Sequence, residues 1–176
     1  TGSGLNHMKV HVYKDGVLQT YNNNITSGSY TASLNSQGSW VVYVQAYDNA
    51  GNKAPESKSI DVWHSQTYVI DTTAPTISFD VANGASFTNP KTATVSFADN
   101  LSGVKERNVS IIKSDGTTIL SNYVAPNNTY SYTFNQVGTY TIYANAVDNA
   151  GNNYYTAHNA SAMVTITITA ACTDYT

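Results

Sequence analysis

Hydrophobic and polar residues alternate along most of this chain with a period of two. In its second half, Ala93, Val95 and Phe97 occupy alternate positions, and Val109 and Ile111 do the same further along. Successive side chains of a β-strand point to opposite sides, so this alternation gives each predicted strand one apolar face. No segment carries a sustained helical pattern. The pattern therefore predicts an all-β protein.

Clusters of turn-forming residues divide the alternating segments into short strands. In the second half we predict strands near residues 76–81, 91–98, 105–113, 117–123, 129–134, 139–148 and 162–169. In the first half we predict strands near residues 8–14, 17–21, 29–34, 39–48 and 57–63. Short strands with a turn at about every tenth residue are typical of an Ig-like sandwich of two antiparallel sheets.

The two halves of the chain resemble each other at an offset of 100 residues. Residues 138–152 have the sequence GTYTIYANAVDNAGN, and residues 38–52 have the sequence GSWVVYVQAYDNAGN. Between Asp15 and Asn52, 13 of 38 positions carry the residue that recurs 100 positions later. Before Asp15 the offset becomes 99, so that Ser3 and Gly4 match Ser102 and Gly103. The sequence therefore predicts tandem copies of one module.

The first copy has no counterpart of residues 76–100, which form the front of the second copy. We therefore expect tandem Ig-like β-sandwiches of which the first is truncated at its N-terminus. The predicted boundaries are a module at 1–70 that lacks its first two strands, a linker at 71–75, a complete module at 76–170 and a tail at 171–176. Pro75 makes the linker stiff, because it fixes its own φ and restricts Ala74 to extended conformations.

Neutral polar residues, and not charges, dominate the polar composition. Only 11% of the residues are charged, whereas Asn, Ser and Thr number 20, 18 and 23. The net charge of -3 offers no basic surface for a phosphate backbone, so we expect no nucleic-acid partner. No apolar run is long enough to span a membrane, so we expect no membrane insertion by this segment. Cys172 is the single cysteine and allows no disulfide within the chain.

Several motifs resemble those of bacterial Ig-like repeats. Residues 47–52 and 147–152 end a strand with Asp-Asn-Ala-Gly-Asn, a Gly-x-Trp or Gly-x-Tyr precedes each, and residues 72–76 have the sequence Thr-Thr-Ala-Pro-Thr. This combination is similar to the Ig-like and Bsp-like repeats of Gram-positive surface proteins, adhesins and secreted wall-associated enzymes. The segment around Tyr140 also resembles the tyrosine corner of Ig folds, from which the first module departs with Trp40.

The resemblance implies an extracellular protein, secreted or on the bacterial cell surface. Because Ig-like repeats serve several purposes, it restricts function less than fold. We expect a non-catalytic, structural stalk or spacer of a bacterial surface protein or adhesin. One alternative is an adhesive module that binds glycans or the cell wall, and another is an accessory domain of a secreted wall-associated hydrolase.

Catalysis is not expected of this chain. The histidines His7, His11, His64 and His158 occupy unrelated positions of the two copies, and none has a partner at metal-ligand spacing. No Gly-x-Ser-x-Gly nucleophile motif occurs. We therefore predict that it is not an enzyme and needs no cofactor other than, at most, Ca²⁺.

A cation site is predicted at the module junction. The loops after the second and sixth strands of the second module carry Asp99 and Asp148, and the incoming linker carries Asp71. These loops share one end of an Ig-like sandwich, so the three carboxylates could converge as the hard oxygen ligands that Ca²⁺ prefers. The alternative is that Asp99 and Asp148 each accept hydrogen bonds within their own turns and that Asp71 is solvated.

Surface aromatic residues suggest a second kind of site. Tyr143, Tyr154 and Tyr155 fall on the outward phase of a strand or in a loop, and Trp63 falls at the end of a predicted strand. Sugar rings stack on such side chains, so these four residues are the candidate glycan-binding residues. The alternative is that they are isolated surface aromatics without a ligand.

The predicted truncation implies a partner for the first module. Val10, Val12, Val42, Val44 and Ala46 form alternating apolar faces that need a covering layer. We expect a strand-donating chain, or neighbouring Ig-like modules, to supply that layer, because unpaired strand edges recruit added strands. Disorder of the first module and packing on a second copy of the chain are the alternatives.

Overall fold

The computed structural model describes residues 2–55 and 63–171, which divide into two compact units, Thr1–Asp71 and Thr72–Thr176. Apart from one five-residue helix, the regular elements of the described residues are all β-strands. The prediction of an all-β sandwich fold is therefore confirmed. Cys172 and nearly all of the predicted tail at 171–176 lie outside the described residues. None of the described helices has the length and apolarity that crossing a membrane requires.

The first unit contains one antiparallel sheet. Its strands are β1 (Leu5–Lys14), β2 (Val17–Ile25), β3 (Gly38–Asp48), β4 (Lys53–Ala54) and β5 (His64–Ile70). Strand β1 lies between β2 and β3, and both β4 and β5 pair with the far edge of β3. Asp15 and Gly16 connect β1 to β2 with φ values of 49° and 78°, the pair of positive angles that a two-residue hairpin requires.

One strand prediction for the first unit is wrong, and another lies mostly outside the described residues. Residues 29–34 form no strand, although their alternation predicted one. The physical reason is that a strand needs a hydrogen-bonded neighbour, and none of the described strands of this unit pairs with them. The strand that pairs with β3 is His64–Ile70, seven residues after the predicted 57–63, most of which lies outside the described residues.

The second unit is a sandwich of two sheets. Its strands are β6 (Thr76–Phe79), β7 (Ala85–Thr88), β8 (Lys91–Ala98), β9 (Val104–Lys113), β10 (Thr118–Val124), β11 (Thr129–Phe134), β12 (Gly138–Asp148) and β13 (Ala162–Thr169). One sheet has the order β10-β9-β12-β13-β7, and the other has the order β11-β8-β6. The core contains Val95, Ile111, Phe134, Ile142 and Ile166, which come from both sheets and are almost fully buried.

The sequence analysis missed two elements of the second unit. Strand β7 pairs in parallel with β13, and its four residues are too few for alternation to be recognised. The helix α1 (Tyr154–His158) begins after Asn153, whose side-chain oxygen accepts a hydrogen bond from the backbone N–H of Tyr155 at 2.8 Å. It ends at Asn159 in the left-handed conformation. Five residues cannot show a helical period.

The two units use the same register in their central strands. In the first unit Val10 pairs with Val44, and in the second Val109 pairs with Ala144. Gly38 pairs with Ile70 as Gly138 pairs with Ile168. This correspondence agrees with the predicted repeat. That the units are tandem copies, and that the first is truncated, stay predictions.

Candidate metal centre and predicted binding residues

A tight turn after β12 positions the carboxylate of Asp148. The backbone N–H of Asn152 donates to Asp148 Oδ1 at 2.8 Å, and the Asn152 side-chain amide donates to Asp148 Oδ2 at 2.7 Å. Asp148 is 0% exposed. Gly151 lies between them with φ of +95°, a conformation that a residue with a side chain rarely adopts. The Asp-Asn-Ala-Gly-Asn motif thus holds a carboxylate in a buried and defined orientation.

The loop after β8 positions a second carboxylate. Asp99 Oδ1 accepts hydrogen bonds from the backbone N–H groups of Leu101 at 3.0 Å and Gly103 at 2.7 Å. The other oxygen, Oδ2, is buried and accepts no hydrogen bond from the described residues. A buried carboxylate oxygen without a partner is costly, because it has lost its water and gained nothing in exchange. Asp99 therefore has one oxygen that fixes its orientation and one that is available to a ligand.

Asp71 completes a group of three carboxylates, which we call the carboxylate cluster: Asp71, Asp99 and Asp148. One oxygen from each residue lies within 4.8 Å of the others. Asp71 is only 8% exposed. The described residues give neither Asp99 nor Asp148 a salt bridge to Lys, Arg or His. The structure thus brings together the three residues that the sequence predicted as cation ligands. Of the alternative, Asp99 and Asp148 do accept hydrogen bonds within their own turns, whereas Asp71 is buried and not solvated.

The geometry of the carboxylate cluster suits an oxygen-preferring cation. Oxygen ligands lie at about 2.3–2.6 Å from Ca²⁺, so two ligands of one ion are at most about 5 Å apart. The oxygens of the cluster meet that limit. Like charges held this close, in largely buried side chains, repel each other unless a cation or a proton offsets the repulsion. Whether Ca²⁺ binds stays a prediction.

The first unit contains the same Asp-Asn-Ala-Gly-Asn turn, at Asp48, but its described residues place no further carboxylates in a cluster with it. Asp48 Oδ1 accepts from the Asn52 backbone N–H at 2.8 Å, and Asp48 Oδ2 accepts from the Asn52 amide at 2.9 Å. Hydrogen bonds from Asn52 and Ser3 lower the pKa of Asp48 from 3.8 to about 2. Leu5 and Lys53 are the neighbours of this turn in a cavity of about 300 Å³. Among the described residues, Asp48 belongs to no such group of three carboxylates.

The candidate glycan-binding residues are only partly brought together. Tyr154 and Tyr155 are adjacent on α1, where Tyr154 stacks on His158 with ring centroids 4.0 Å apart and Tyr155 is exposed. Tyr143 is half-buried on β12, two residues before Asn145, whose side chain accepts from the Tyr155 backbone N–H at 2.9 Å. Three of the four residues thus lie in one region of the second unit. Binding by them stays a prediction.

Trp63 does not fit the predicted role. It lies just before β5 and is 8% exposed, whereas the rest of the strand that it was predicted to end lies outside the described residues. Its ring packs on His11 at a centroid distance of 4.9 Å. A buried ring cannot present its face to a sugar, so the structure removes Trp63 from the candidate surface residues. Its burial depends on contacts with residues distant along the chain, such as His11, which alternation does not reveal.

The sequence analysis also missed residues next to the candidate sites. Asn149 donates from its side-chain amide to the Ser102 carbonyl at 2.8 Å and to the Gly103 carbonyl at 3.0 Å. These bonds tie the turn that holds Asp148 to the loop that holds Asp99. In the first unit, Asn49 donates to the Ser3 carbonyl at 2.8 Å. The recurrence of Ser-Gly and Asp-Asn at matched positions of both halves was the signal that could have revealed this contact.

No protein-family model matches this chain, and a search of the curated proteins returns no match. The family resemblance therefore stays a prediction that rests on the sequence motifs.

Proposed function

We propose that this chain is a non-catalytic structural segment, a stalk or spacer of an extracellular bacterial surface protein. One observation carries the proposal: both units end a long central strand with the same Asp-Asn-Ala-Gly-Asn turn, in which Asp48 and Asp148 bind Asn52 and Asn152 through the same atoms. A turn that recurs at the same place in both units supports a structural role, because a spacer becomes longer by repeating one structural module. The resemblance to Ig-like repeats supports the extracellular setting.

In this function the carboxylate cluster binds Ca²⁺. Two observations support this role: the convergence of the three carboxylates within 4.8 Å and the buried Asp99 Oδ2 that no described residue satisfies. Asp71 begins the segment that leads into β6. A cation held by Asp71, Asp99 and Asp148 offsets the repulsion among their charges and fixes the loops after β8 and β12. Fixing these loops stabilises the second sandwich against tension along the chain, which a spacer experiences.

The calcium role is tested by titrating the 176-residue chain with CaCl₂ in an isothermal calorimeter. We expect one site, and we expect Asp99→Asn to abolish it. Asparagine keeps the oxygen that accepts from Leu101 and Gly103 while it removes the negative charge. The matched control is Asp48→Asn, which alters the equivalent turn of the first unit and leaves Ca²⁺ binding intact. Absence of a binding heat in the folded wild type would overturn this role.

The spacer role is tested by pulling single molecules of the chain from end to end in an atomic force microscope. We expect a defined unfolding force for the second unit that rises when Ca²⁺ is added and does not rise for Asp99→Asn. A glycan-array or cell-wall binding signal that is lost in the double variant Tyr154→Ala, Tyr155→Ala would overturn the assignment. It would favour the adhesive alternative.

A further inference from the structure

The five-stranded sheet of the second unit has a small polar pocket on its outer face. We call it the amide pocket, because its lining includes three asparagines among six neutral polar side chains: Asn108, Ser110, Asn122, Tyr143, Asn145 and Ser161. Its volume is about 80 Å³, whereas one water molecule in the liquid occupies about 30 Å³. The pocket therefore has room for a group of only a few non-hydrogen atoms.

Two directly opposed pairs of residues on β9 and β12 form the floor of the amide pocket. Asn108 lies opposite Asn145, and Ser110 lies opposite Tyr143. The intervening residues of both strands are buried in the core, so these four side chains share the outer face. Directly opposed residues have Cβ atoms about 4.5–5.5 Å apart. The four side chains are therefore close enough to contact one small group.

An irregularity in β10 adds a third asparagine to the pocket. The pairing of β10 with β9 shifts between Leu120 and Tyr123, and Asn122 lies within the shift with a φ of +45°. This left-handed conformation is uncommon for a residue with a side chain, although asparagine tolerates it better than most. The backbone N–H of Asn122 donates to Ser110 Oγ at 2.8 Å, which stabilises the irregularity. Irregularities of this kind redirect a side chain, here into the lining of the pocket.

Hydrogen bonds within the second unit leave two donors for a ligand. Asn145 Oδ1 accepts from the backbone N–H of Tyr155 at 2.9 Å, which fixes the orientation of the amide and leaves its NH₂ group as a donor. Ser110 Oγ already accepts from Asn122, so its hydroxyl proton is left to donate. None of the described residues accepts a hydrogen bond from either donor. The two donors together suit one acceptor oxygen.

The other side chains of the pocket add an acceptor and an apolar surface. Asn108 carries an amide oxygen, to which no described residue donates a hydrogen bond. The half-buried ring of Tyr143 offers an apolar surface. No lysine, arginine or histidine lines the pocket, so it favours a neutral group over a carboxylate or a phosphate. The complementary group has an acceptor oxygen, an N–H donor and a small apolar part.

The first unit does not repeat the amide pocket. The position of Asn145 is held by Gln45, which is buried and donates to the Pro55 carbonyl at 2.6 Å. The position of Asn108 is held by Lys9, which is charged. The side chains of the pocket are therefore not among the structural features that the two units share, and the first unit provides an internal control.

We propose that the amide pocket binds the acetamido group of an N-acetylhexosamine, a neutral amino sugar. The acetamido oxygen accepts from the Asn145 NH₂ group and the Ser110 hydroxyl, its N–H donates to the amide oxygen of Asn108, and its methyl group lies on the ring of Tyr143. The sugar ring stays outside the pocket, which is too small for it. This inference goes beyond the spacer role and does not rest on the calcium role, because no pocket residue belongs to the carboxylate cluster.

The test adds the methyl glycoside of N-acetyl-β-D-glucosamine to the isotope-labelled 176-residue chain and follows the side-chain amide signals by NMR. We expect saturable shifts of the NH₂ signals of Asn108, Asn122 and Asn145, with a Kd in the millimolar range because so small a ligand makes few contacts. Methyl β-D-glucoside has a hydroxyl in place of the acetamido group. We expect it to bind at least about tenfold more weakly, because it leaves donors of the pocket unpaired.

The variant Asn145→Asp tests the pocket from the side of the protein. Aspartate keeps an oxygen that accepts from the backbone N–H of Tyr155, but it lacks the NH₂ donor and repels the acetamido oxygen, so we expect binding to be lost. Asn127→Asp makes the same chemical change at an exposed position outside the pocket and leaves binding unchanged. The backbone amide spectrum verifies that each variant is folded, and the pair of glycosides tests the proposal on the wild type alone.

Four results would overturn the proposal. They are no binding to the folded wild-type chain, equal binding of the two glycosides, shifts confined to the first unit, and undiminished binding by Asn145→Asp. The last result would favour the aromatic residues Tyr154 and Tyr155 as the sugar-binding residues.

Discussion

The two units differ in how the apolar face of their central strands is covered. In the second unit a three-stranded sheet covers the central strands, and Ile166 is fully buried. In the described part of the first unit no second sheet lies over them, and Ala32 and Leu34 pack against the core instead. Tyr68, which pairs with Trp40 as Ile166 pairs with Tyr140, is exposed. The difference teaches that alternation specifies which face of a strand is apolar. It does not specify whether a second layer covers that face.

Short-range features, by contrast, are the same in both units. The indole N–H of Trp40 donates to the Ser36 carbonyl at 2.9 Å, and the hydroxyl of Tyr140 donates to the Gln136 carbonyl at 3.0 Å. The first unit therefore keeps the corner hydrogen bond although the tyrosine is replaced. This hydrogen bond joins residues only four positions apart. It can therefore form whether or not a second sheet packs on the first.

The largest expected difference between the units is in the cost of removing a core side chain. Phe134→Ala removes a fully buried ring that packs between the two sheets, and we expect it to lower the free energy of unfolding of the second unit by about 3–5 kcal/mol. The matched change in the first unit, Leu34→Ala, acts at a half-buried side chain beside an open groove, and we expect a loss below about 2 kcal/mol.

Urea unfolding measures both losses in one chain. Tryptophan fluorescence follows the first unit, which contains both tryptophans, and circular dichroism follows the two units together. Equal losses for the two variants would contradict the comparison, because they would mean that the face of the first unit is as closely packed as that of the second.

Calcium should stabilise one unit and not the other. At a Ca²⁺ concentration of about 100 times the dissociation constant, we expect the free energy of unfolding of the second unit to rise by about 2.7 kcal/mol. The turn of Asp48 in the first unit belongs to no such cluster among the described residues, so the tryptophan-monitored transition of this unit stays unchanged. Asp99→Asn removes the rise. A calcium effect that persists in this variant would place the ion elsewhere.

Removal of the corner hydrogen bond should cost less than removal of the core ring. We expect Tyr140→Phe to lower the free energy of unfolding of the second unit by about 0.5–1.5 kcal/mol, because only the bond to the Gln136 carbonyl is lost. Trp40→Phe in the first unit loses the bond to Ser36 and part of a buried ring, so its cost is larger. Urea unfolding again provides the measurement, with Trp63 as the remaining fluorophore. A smaller loss for Trp40→Phe would contradict the comparison.

Lowering the pH should remove the contribution of the Asp48 turn to the free energy of unfolding of the first unit. The folded-state pKa of about 2 lies below the ordinary value of 3.8, so the stabilisation is fully present above pH 3.8 and is lost as the pH falls toward 2. The stability difference between wild type and Asp48→Asn, followed by tryptophan fluorescence, therefore shrinks across that interval. Asp115→Asn is the control, because Asp115 lies in the second unit, which contains no tryptophan. A difference that is constant from pH 5 to pH 2 would contradict the assigned pKa.

Most strands of the second unit could be predicted from the sequence almost to the residue. Strand β8 was predicted and found at residues 91–98, because a long run of strict alternation has sharp ends. Strand β7 was missed, because its pairing with β13 joins residues about 80 positions apart. Residues 29–34 were predicted as a strand on the same local pattern as 129–134. Only the partner strand distinguishes the two segments.

The candidate cation site could also be predicted from the sequence only in part. The sequence marked Asp99 and Asp148 by their turns and Asp71 by its place in the connecting segment. Their approach to within 4.8 Å, and the burial of Asp99 Oδ2, depend on contacts between residues that are distant along the chain. The burial of Trp63 also depends on where the chain runs, so the sequence could not distinguish it from an exposed aromatic residue.

The sequence by itself determined the strand periods, the turns and the residues able to bind a cation, because each depends on neighbours a few positions away. The tertiary structure decided how many layers each unit has, which aromatic rings are exposed and which carboxylates converge. These properties depend on contacts between residues that are distant along the chain. The free energy of such contacts comes from burial and from pairing with a second strand, and neither can be read from one segment alone.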